Sequence, residues 1–209
     1  MYYNRNMRMR KKKWVPSFLE NEEEYLIKDL KGYDGDKPLY VEIGMGMGDF
    51  ITKSASINRE IFYVGLEREE TCVARAIKKA QELELDNFRV ILADAMNIEE
   101  LFDENSLDLI YLHFSDPWPK KRTHKRRLTY LPFLKSYEKV LKDKGVLIFK
   151  TDNESFYEDS LGYFGSSGFK LLETDRNYYR EGEPMTAYQE RFVSLGQPIY
   201  YAKYRIDKV

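Results

Sequence analysis

The sequence predicts an α/β protein with a doubly wound, mostly parallel sheet, helices on both faces and an antiparallel strand near one edge. Two patterns lead to this fold class. Apolar segments of strand length alternate with segments of helical periodicity between residues 39 and 173. The last two predicted strands follow each other without a helix. Because a parallel pair needs a crossover connection, at least one of these two should run antiparallel.

The individual elements follow from periodicity and from start and stop signals. A capping-box pattern at Ser17 and Glu20 predicts a helix that runs to about Leu30 and stops at Gly32. We predict that the segment ending at Phe50 leads into a helix to about Ile57, and we predict later helices at residues 70–83, 97–103, 128–141 and 154–165. The predicted strands are Leu39–Ile43, Ile61–Leu66, Asn87–Leu92, Leu107–Leu112, Val146–Phe149, Phe169–Glu173, Tyr188–Leu195 and Ile199–Tyr204.

The composition is that of a globular protein. Of the 209 residues, 43% are hydrophobic and 33% are charged, and we expect one domain over residues 1–209 with a flexible basic arm at about residues 1–14. We expect neither a membrane span nor a signal peptide, because no apolar run of the required length is present. Cys72 is the only cysteine, which excludes an internal disulfide, fits a reducing cytoplasm and argues against a structural metal site.

Positive charge is concentrated in two places. Residues 5–13 and residues 120–127 each contain six lysines and arginines and no acid. Together they hold 12 of the 34 basic residues, so the rest of the chain has 22 basic against 35 acidic residues, a balance of −13. Two basic patches on an acidic body indicate localised contact with a polyanion. The alternatives are a solvated tail for the first patch and a solvated loop for the second.

The segment His113–Lys120 (HFSDPWPK) follows a predicted strand and leads into the second basic patch. Pro117 and Pro119 should hold this loop in one extended shape, with Asp116 at the end of the strand, where open α/β sheets bind their ligands. A carboxylate beside an aromatic face and a cationic run suits a nucleobase attached to phosphate. Trp118 is either a stacking platform for a base or a core residue.

Acids end the first three predicted strands beside a glycine-rich turn. The turn lets the backbone approach a ligand closely at Gly44, Gly46 and Gly48. Asp49 stands where a dinucleotide-binding fingerprint needs its third glycine, and Glu42 would repel a pyrophosphate. The sulfonium and ammonium groups of S-adenosylmethionine would instead attract Glu42. Glu67 is placed to accept from ribose hydroxyls and Asp94 to meet an adenine edge; a ligand-free turn, and a helix cap for Asp94, are the alternatives.

Five motifs together resemble the bacterial tRNA (guanine-N7-)-methyltransferases. They cover nearly the whole chain and are Glu42–Gly48 (EIGMGMG), Asp116–Arg122 (DPWPKKR), Lys125–Thr129 (KRRLT), Lys150–Asn153 (KTDN) and Thr186–Phe192 (TAYQERF). The resemblance implies a class I methyltransferase fold, which is Rossmann-like and for which we expect a seven-stranded sheet. It also implies a cytoplasmic enzyme, a monomer or homodimer without metal, that methylates guanine N7 in the tRNA variable loop with S-adenosylmethionine.

The resemblance carries roles over to individual residues. Asp116 would be catalytic. Cofactor binding is implied for Glu42, Gly44, Gly46, Gly48, Glu67, Asp94, Ala95 and Asp116. Substrate binding is implied for Lys120, Asp152, Thr186, Tyr188 and Gln189. RNA binding is implied for Lys121, Arg122, Lys125, Arg126 and Arg127. Judged from the residues alone, Asp152 and Thr186 could equally cap a helix or turn, and Tyr188 could equally be a core residue.

Three positions depart from the pattern of the family. Thr123 stands where the family commonly has histidine, with His124 one place later. His113 stands where related sequences often have asparagine, and we assign neither histidine a catalytic role. Gln189 replaces the glutamate of the usual T-x-Y-E pattern, which removes a charge from the expected substrate site.

The expected chemistry needs placement rather than a general base. Guanine N7 carries an in-plane lone pair and no proton, so the reacting atoms need only be aligned. Asp116 is predicted to accept from the guanine N1–H and exocyclic amine and to stabilise the positive charge that develops on the purine.

Three other functions compete with this interpretation. Another methyltransferase acting on nucleic-acid bases is the nearest, although the Asp-Pro-Pro-aromatic order used on exocyclic amines is not present. A dinucleotide oxidoreductase is disfavoured by Glu42 and Asp49. An RNA-binding module without activity would leave the acids at the strand ends unexplained.

Overall fold

The computed structural model describes residues 12–208, which are built around an eight-stranded sheet. Its strands are β1 (Leu26–Ile27), β2 (Leu39–Ile43), β3 (Phe62–Glu67), β4 (Phe88–Leu92), β5 (Leu107–His113), β6 (Leu141–Thr151), β7 (Phe169–Asp175) and β8 (Tyr200–Ile206). The helices are α1 (Val15–Leu19), α2 (Asp49–Ile57), α3 (Glu70–Glu82), α4 (Ile98–Leu101), α5 (Leu131–Val140), α6 (Glu154–Gly165) and α7 (Ala187–Ser194). Two 3-10 helices, Ala95–Asn97 and Lys121–Arg126, precede α4 and α5.

The strands are ordered β1-β4-β3-β2-β5-β6-β8-β7 across the sheet. Neighbouring strands from β1 to β6 are parallel, whereas β8 runs antiparallel to both β6 and β7. This confirms the doubly wound, mostly parallel sheet with an antiparallel strand near one edge. We call the rim where β2 to β6 end the carboxyl edge; these strands end at Ile43, Glu67, Leu92, His113 and Thr151. The strand order reverses beside β2, which is where ligands bind in such sheets.

The alternation of side chains along β2 separates two hydrophobic cores. Leu39, Val41 and Ile43 belong to the larger core, with residues of α4, α5 and α6. Tyr40 packs against the smaller core on the opposite face, which α2 and α3 supply and α1 borders. Helices therefore cover both faces of the sheet, as predicted. Glu42 shares the face of Tyr40, so its carboxyl group lies on the side of the sheet that α2 covers.

The N-terminal region differs from the prediction. We expected one helix from Ser17 to about Leu30, but α1 ends at Leu19 and β1 takes the place of the second half. Ser17 is not the helix cap: Trp14 holds the N-cap position, and the Ser17 hydroxyl donates to the Trp14 carbonyl oxygen. Pairing with β1 satisfies the outer edge of β4, and this tertiary interaction overrides helix propensity. β1 also makes the sheet eight-stranded rather than seven-stranded. Of the predicted basic arm, residues 1–11 lie outside the described residues.

The predicted strand Tyr188–Leu195 is wrong, because this segment forms α7. Thr186 caps the helix, since its hydroxyl oxygen accepts from the backbone N–H of Gln189 at 2.9 Å. The rings of Tyr188 and Phe192, one turn apart, stack with centroids 4.5 Å apart. The aromatic content suggested a strand, but the helical spacing of the two rings decides the conformation.

The remaining predicted elements are present. The strand β2 and the helix α6 have the predicted bounds, and most of the others are shifted at one or both ends. The largest shift is in β6, which begins at Leu141 rather than at Val146. Its register against β5 shifts between Leu107 and Leu109, and Lys144 takes a φ of 64° in this bulge. Within the described part of the chain, every helix is too short or too polar to span a bilayer.

Candidate active site

A buried carboxyl group, that of Glu42 on β2, lies at the carboxyl edge. Its side chain is 2% exposed, and its Oε1 lies 3.2 Å from Nδ1 of His113. Its Oε2 is buried and has no hydrogen-bond partner among the described residues. Burial raises the pKa of Glu42 well above its usual range; the charge of Lys150 opposes this, and Asp49 and Glu67 add to it. An unpartnered oxygen on a buried acid is costly, so it marks a place for a donor from a ligand.

Glu42 belongs to a polar row that crosses the sheet. His113 of β5 pairs across strands with Lys150 of β6, which is 3% exposed. The Lys150 ammonium lies 4.0 Å from Oε2 of Glu183 and 4.5 Å from the ring centroid of Tyr178. Burial lowers the pKa of Lys150 to about 8, against the opposing charges of Glu183 and Glu42. Burial and the Lys150 charge hold the pKa of His113 well below its usual range, so its imidazole is neutral.

Glu67, at the end of β3, ties the glycine-rich turn to the start of α3. Its Oε2 accepts from the backbone N–H of Gly46 at 3.0 Å. Its Oε1 accepts from the backbone N–H groups of Arg68 and Glu69 at 2.8 and 3.0 Å. Burial raises the pKa of Glu67, and these three hydrogen bonds lower it. A carboxylate offers about four acceptor positions, so one position remains for a ligand hydroxyl.

The glycine-rich turn has a backbone that glycine adopts most easily. Gly44, Gly46 and Gly48 have φ values of 73°, 58° and 74°. A Cβ on Gly48 would lie 2.7 Å from the Cβ of Ala76, so this glycine also lets the turn approach α3 closely. Gly44 is exposed at the carboxyl edge, where its backbone is accessible to a ligand.

Asp94, just beyond β4, is an exposed side chain that also caps a helix. Its Oδ1 accepts from the backbone N–H of Met96 at 2.9 Å, at the start of the 3-10 helix that begins with Ala95. The cap considered as an alternative for Asp94 is therefore present. It leaves the other carboxylate oxygen available, so capping and ligand binding are compatible.

The loop that carries Asp116 is not uniformly extended, although its two prolines led us to predict this. Phe114 and Trp118 have φ values of 50° and 40°, in the left-handed region that residues other than glycine rarely adopt. Trp118 precedes Pro119, a position that normally requires extended backbone. Such strain persists only where the surroundings hold it, and it is concentrated at functional sites. Asp116 lies between these two residues and is exposed.

Arg127 holds this loop in place, and the structure does not support its predicted contact with RNA. The residue is 1% exposed. Its Nε donates to the carbonyl oxygen of Pro117 at 2.7 Å, and its Nη1 donates to Oδ2 of Asp159 at 2.7 Å. The guanidinium also lies 5.0 Å from the ring centroid of Phe156. A buried arginine engaged in this way cannot reach a phosphate.

The other basic residues of this segment form an exposed cationic run. Within residues 120–127, Arg127 forms an ion pair with Asp159, and Nδ1 of His124 lies 3.9 Å from the same carboxylate oxygen. Trp118 is half-buried, and the guanidinium of Arg126 lies 4.9 Å from its ring centroid. The exposed cations without an ion pair in this segment are Lys120, Lys121, Arg122, Lys125 and Arg126.

Helix α7 borders the carboxyl edge beside β6. The Tyr188 hydroxyl donates to Oδ2 of Asp152, just beyond β6, at 2.9 Å. The Tyr188 ring lies 5.2 Å from that of Phe114, at the start of the Asp116 loop. Lys53 of α2 donates to Oε1 of Glu190 at 2.6 Å, so α7 connects the two sides of the site.

Two further residues predicted to bind substrate have structural roles in α7. Thr186 is the N-cap, which realises the capping alternative. Gln189 is 2% exposed, and its Oε1 is buried without a hydrogen-bond partner among the described residues. A neutral amide is easier to bury than the glutamate of the family pattern, which gives a physical reason for the substitution.

The unpartnered polar atoms concentrate in this region. Among the described residues, seven buried side-chain atoms lack a hydrogen-bond partner, and four belong to Glu42, His113, Ser115 and Gln189. Three of these residues lie in β2, β5 or the Asp116 loop, and the fourth lies on α7. Such a concentration is expected where a polar ligand binds. The donor and acceptor set therefore fits a ligand with cationic and hydroxyl groups, as inferred from the sequence.

Comparison with known proteins identifies the family. A family model described as "putative methyltransferase" matches residues 36–202. The tRNA (guanine-N(7)-)-methyltransferase of Bacillus subtilis (strain 168) is 39% identical over 94% of this chain and 98% of its own length. The protein of the same name from Limosilactobacillus fermentum is 41% identical over 94% and 97%. The chain belongs to the tRNA (guanine-N(7)-)-methyltransferase family. This confirms the family that the five motifs resemble.

Solved structures agree on the fold of this family member. A SAM-dependent methyltransferase from Aquifex aeolicus superposes with a TM-score of 0.59, covering 82% of this chain and 85% of its own, at 15% identity. The 16S rRNA methyltransferase KamB superposes with a TM-score of 0.64, covering 82% and 89%, at 15% identity. At this identity the likeness establishes the class I methyltransferase fold and nothing finer.

The sequence did not reveal the polar row of Glu42, His113 and Lys150 at the carboxyl edge. It also did not reveal that Arg127 supports the Asp116 loop. Lys150 stands inside one of the five motifs, but its burial depends on the covering Tyr178, which lies far away in sequence. His113 is a polar residue at the end of an apolar strand, and this position could have indicated a buried polar partner such as Glu42. Nothing in the run of basic residues distinguishes Arg127, which is buried, from its exposed neighbours.

Proposed function

We propose that this chain transfers a methyl group from S-adenosylmethionine to N7 of guanine in tRNA. The observation that carries the proposal is the position of the Asp116 loop, which joins an acid-lined carboxyl edge to five exposed cations. Its relatives from B. subtilis and L. fermentum are named tRNA (guanine-N(7)-)-methyltransferases, which supports this substrate.

The carboxyl edge would hold the methyl donor. S-adenosylmethionine supplies a methyl group on a positively charged sulfur. Glu42 would attract its cationic part, Glu67 would accept from a ribose hydroxyl, and Asp94 would meet the adenine edge. Backbone contacts would come from Gly44, Gly46, Gly48 and Ala95.

Asp116 would orient the guanine. Its carboxylate would accept from the N1–H and exocyclic amine of the base and would stabilise the positive charge that N7 methylation places on the purine. No proton has to be removed from N7, so the contribution of Asp116 is placement and charge. Asp116 is exposed and lies between Phe114 and Trp118, whose backbones are strained, which supports such a role.

The surroundings of Asp116 would hold the tRNA. Asp152 and Tyr188, hydrogen-bonded to each other beside β6, would border the guanine together with Thr186 and Lys120, whereas Gln189 is too deeply buried to do so. The phosphates would be bound by the exposed cations, namely Lys121, Arg122, Lys125 and Arg126. Arg127 is left out of this set because it is buried.

Product analysis tests the proposal. The purified full chain is incubated with unmodified tRNA and S-adenosylmethionine carrying a labelled methyl group, and the tRNA is digested to nucleosides. We expect the label in 7-methylguanosine. Label in another methylated nucleoside would favour a different base methyltransferase, and no label in RNA would contradict the proposal.

Asp116→Asn tests the role of the carboxylate. We expect kcat to fall by at least about 100-fold, because the charge that stabilises the developing cation is lost. The affinity for tRNA should stay within about threefold, since phosphate contacts dominate it. Small and equal losses in both quantities would remove Asp116 from the chemistry.

We further propose that the described residues act as one methyltransferase domain in the cytoplasm, as a monomer or homodimer and without a metal. The single cysteine suits a reducing compartment. Light scattering of the purified protein and metal analysis of the active enzyme check the assembly and the metal.

A further inference from the structure

His113 is locked into the protein interior by its neighbours. Its ring meets the ring of Phe50 edge-on, with centroids 4.4 Å apart and planes at 87°. The ring of Tyr111 lies 5.1 Å from the imidazole and 4.9 Å from the ring of Phe50, so the three rings form one cluster. With its side chain 1% exposed, the imidazole has little freedom to turn. The direction of its Nδ1 is therefore set by packing.

This fixed ring orients the carboxyl group of Glu42. Nδ1 of His113 engages Oε1, which leaves Oε2 as the buried oxygen without a partner. Without the imidazole, neither oxygen of Glu42 would have a hydrogen-bond partner among the described residues. The charged form of the carboxyl group would then be harder to maintain in the buried site.

We propose that His113 is a positioning residue, which holds Oε1 of Glu42 so that Oε2 receives the ammonium group of the bound S-adenosylmethionine. The inference rests on the proposed function, because it requires this cofactor at the carboxyl edge. No role for His113 follows from the family pattern, where asparagine is common at this position.

The charges around the pair fit this role. Lys150 of β6 favours the ionised form of Glu42, while burial, Asp49 of α2 and Glu67 of β3 oppose it and raise the pKa of Glu42. Glu183 partly neutralises Lys150 from the loop before α7. The His113 imidazole is neutral, and the tautomer with its proton on Nδ1 donates to the ionised carboxylate. A bound ammonium group favours ionisation further, so affinity for the ligand should rise with pH.

Two ligands separate the ammonium contact from the rest of the site. S-adenosylhomocysteine has the amino-acid part of the cofactor, whereas 5′-methylthioadenosine lacks it. His113→Phe keeps an aromatic ring against Phe50 and removes both ring nitrogens, and with them the hydrogen bond to Glu42. In calorimetry with the full chain, we expect His113→Phe to weaken S-adenosylhomocysteine by about 10- to 100-fold, the usual range for a charge-assisted hydrogen bond. The affinity for 5′-methylthioadenosine should change less than about twofold.

A second variant and a pH series complete the test. His113→Asn retains an N–H donor and should restore S-adenosylhomocysteine binding to within about fivefold of the unaltered chain. Over the pH range in which Glu42 ionises, which lies above that of an ordinary glutamate, the unaltered chain should bind S-adenosylhomocysteine more tightly as pH rises, and 5′-methylthioadenosine should show no such trend.

Two results would overturn the inference. Unchanged S-adenosylhomocysteine binding by His113→Phe would make His113 a packing residue only. An equal loss for both ligands would mean that the substitution disturbs the whole site. If the unaltered chain binds neither ligand, the proposed function itself fails, and the inference fails with it.

Discussion

At the scale of single residues, Lys150 is a buried cation whose charge affects both the stability of the fold and the ionisation of Glu42. The residue is 3% exposed, and burial lowers its pKa from 10.5 to about 8. Its ammonium contacts the ring of Tyr178 and lies near Glu183, which offset only part of the cost of burial. Lys150 also favours the ionised form of Glu42. The buried charge of Lys150 thus destabilises the fold but favours the ionised form of Glu42, the carboxylate proposed to bind the cofactor.

Lys150→Met should reveal the cost of burying the charged Lys150, because it should change how the free energy of unfolding depends on pH. The folded protein releases the Lys150 proton near pH 8 and the unfolded chain near 10.5, so the unfolded state binds more protons in between. The free energy of unfolding of the unaltered chain therefore gains up to about 1.4 kcal/mol per pH unit from this group as pH rises. Lys150→Met lacks this gain. We expect it to be the more stable chain at neutral pH, with the difference narrowing above about pH 8.

Urea unfolding at several pH values up to about 9.5 measures this difference. Comparison with the variant is needed because other groups titrate in the same range. Burial raises the pKa of Cys72 to about 11, which changes stability in the opposite direction but equally in both chains. A difference that is constant with pH would contradict the linkage.

At the scale of elements, α7 shows why part of the site could not be predicted. Its aromatic residues and its place before a true strand suggested a strand. The correct signal was present in the T-x-x-Q pattern of Thr186 and Gln189, which is the sequence signature of a capping box, and in the four-residue spacing of Tyr188 and Phe192. Only the Thr186 half of the box forms, because Oε1 of Gln189 has no hydrogen-bond partner among the described residues. What the sequence could not supply are the contacts to Asp152 and to α2 that place α7 beside the Asp116 loop.

The central strands were easier to predict for a physical reason. Parallel strands buried on both faces read as apolar runs, and their ends carry the acids Glu42, Glu67 and Asp94. The acids at the carboxyl edge could therefore be predicted from local sequence patterns. The partners of Glu42 come from β5 and β6, so the polar row depends on strand order and not on local sequence. Arg127 is a similar case, because its burial depends on Asp159 in α6.

Thr186→Ala should loosen α7 without disturbing the sheet. The Thr186 hydroxyl satisfies the Gln189 N–H, and loss of such a cap costs about 1 kcal/mol. If α7 opens locally, the amides of its first turn should exchange about fivefold faster in hydrogen-exchange mass spectrometry. Thr186→Ser keeps the hydroxyl and is the matched control. Equal exchange in all three chains would show that tertiary contacts alone hold the helix.

At the scale of the whole molecule, the charge distribution assigns tRNA binding and methyl transfer to different residues. The chain has a formal charge of −1, yet the cationic run beside Asp116 carries no acid. An acidic body repels RNA except at that run and at any further basic patch, so charge would direct the tRNA phosphates to the run beside Asp116. The affinity for tRNA should then depend on the exposed cations, and the rate of methyl transfer should depend on the residues at the carboxyl edge.

The salt dependence of tRNA binding tests this separation. Five exposed cations that each neutralise one phosphate predict a slope of log affinity against log salt of about −4. Lys121→Ala combined with Arg122→Ala should make the slope less negative by about 1.5, and S-adenosylhomocysteine affinity should not change. Lys28→Ala, an exposed charge just after the outermost strand β1 and four strand positions from β5, is the control and should leave the slope unchanged. A slope that responds to Lys28 as strongly as to the pair would mean that RNA binds by overall charge rather than at the run beside Asp116.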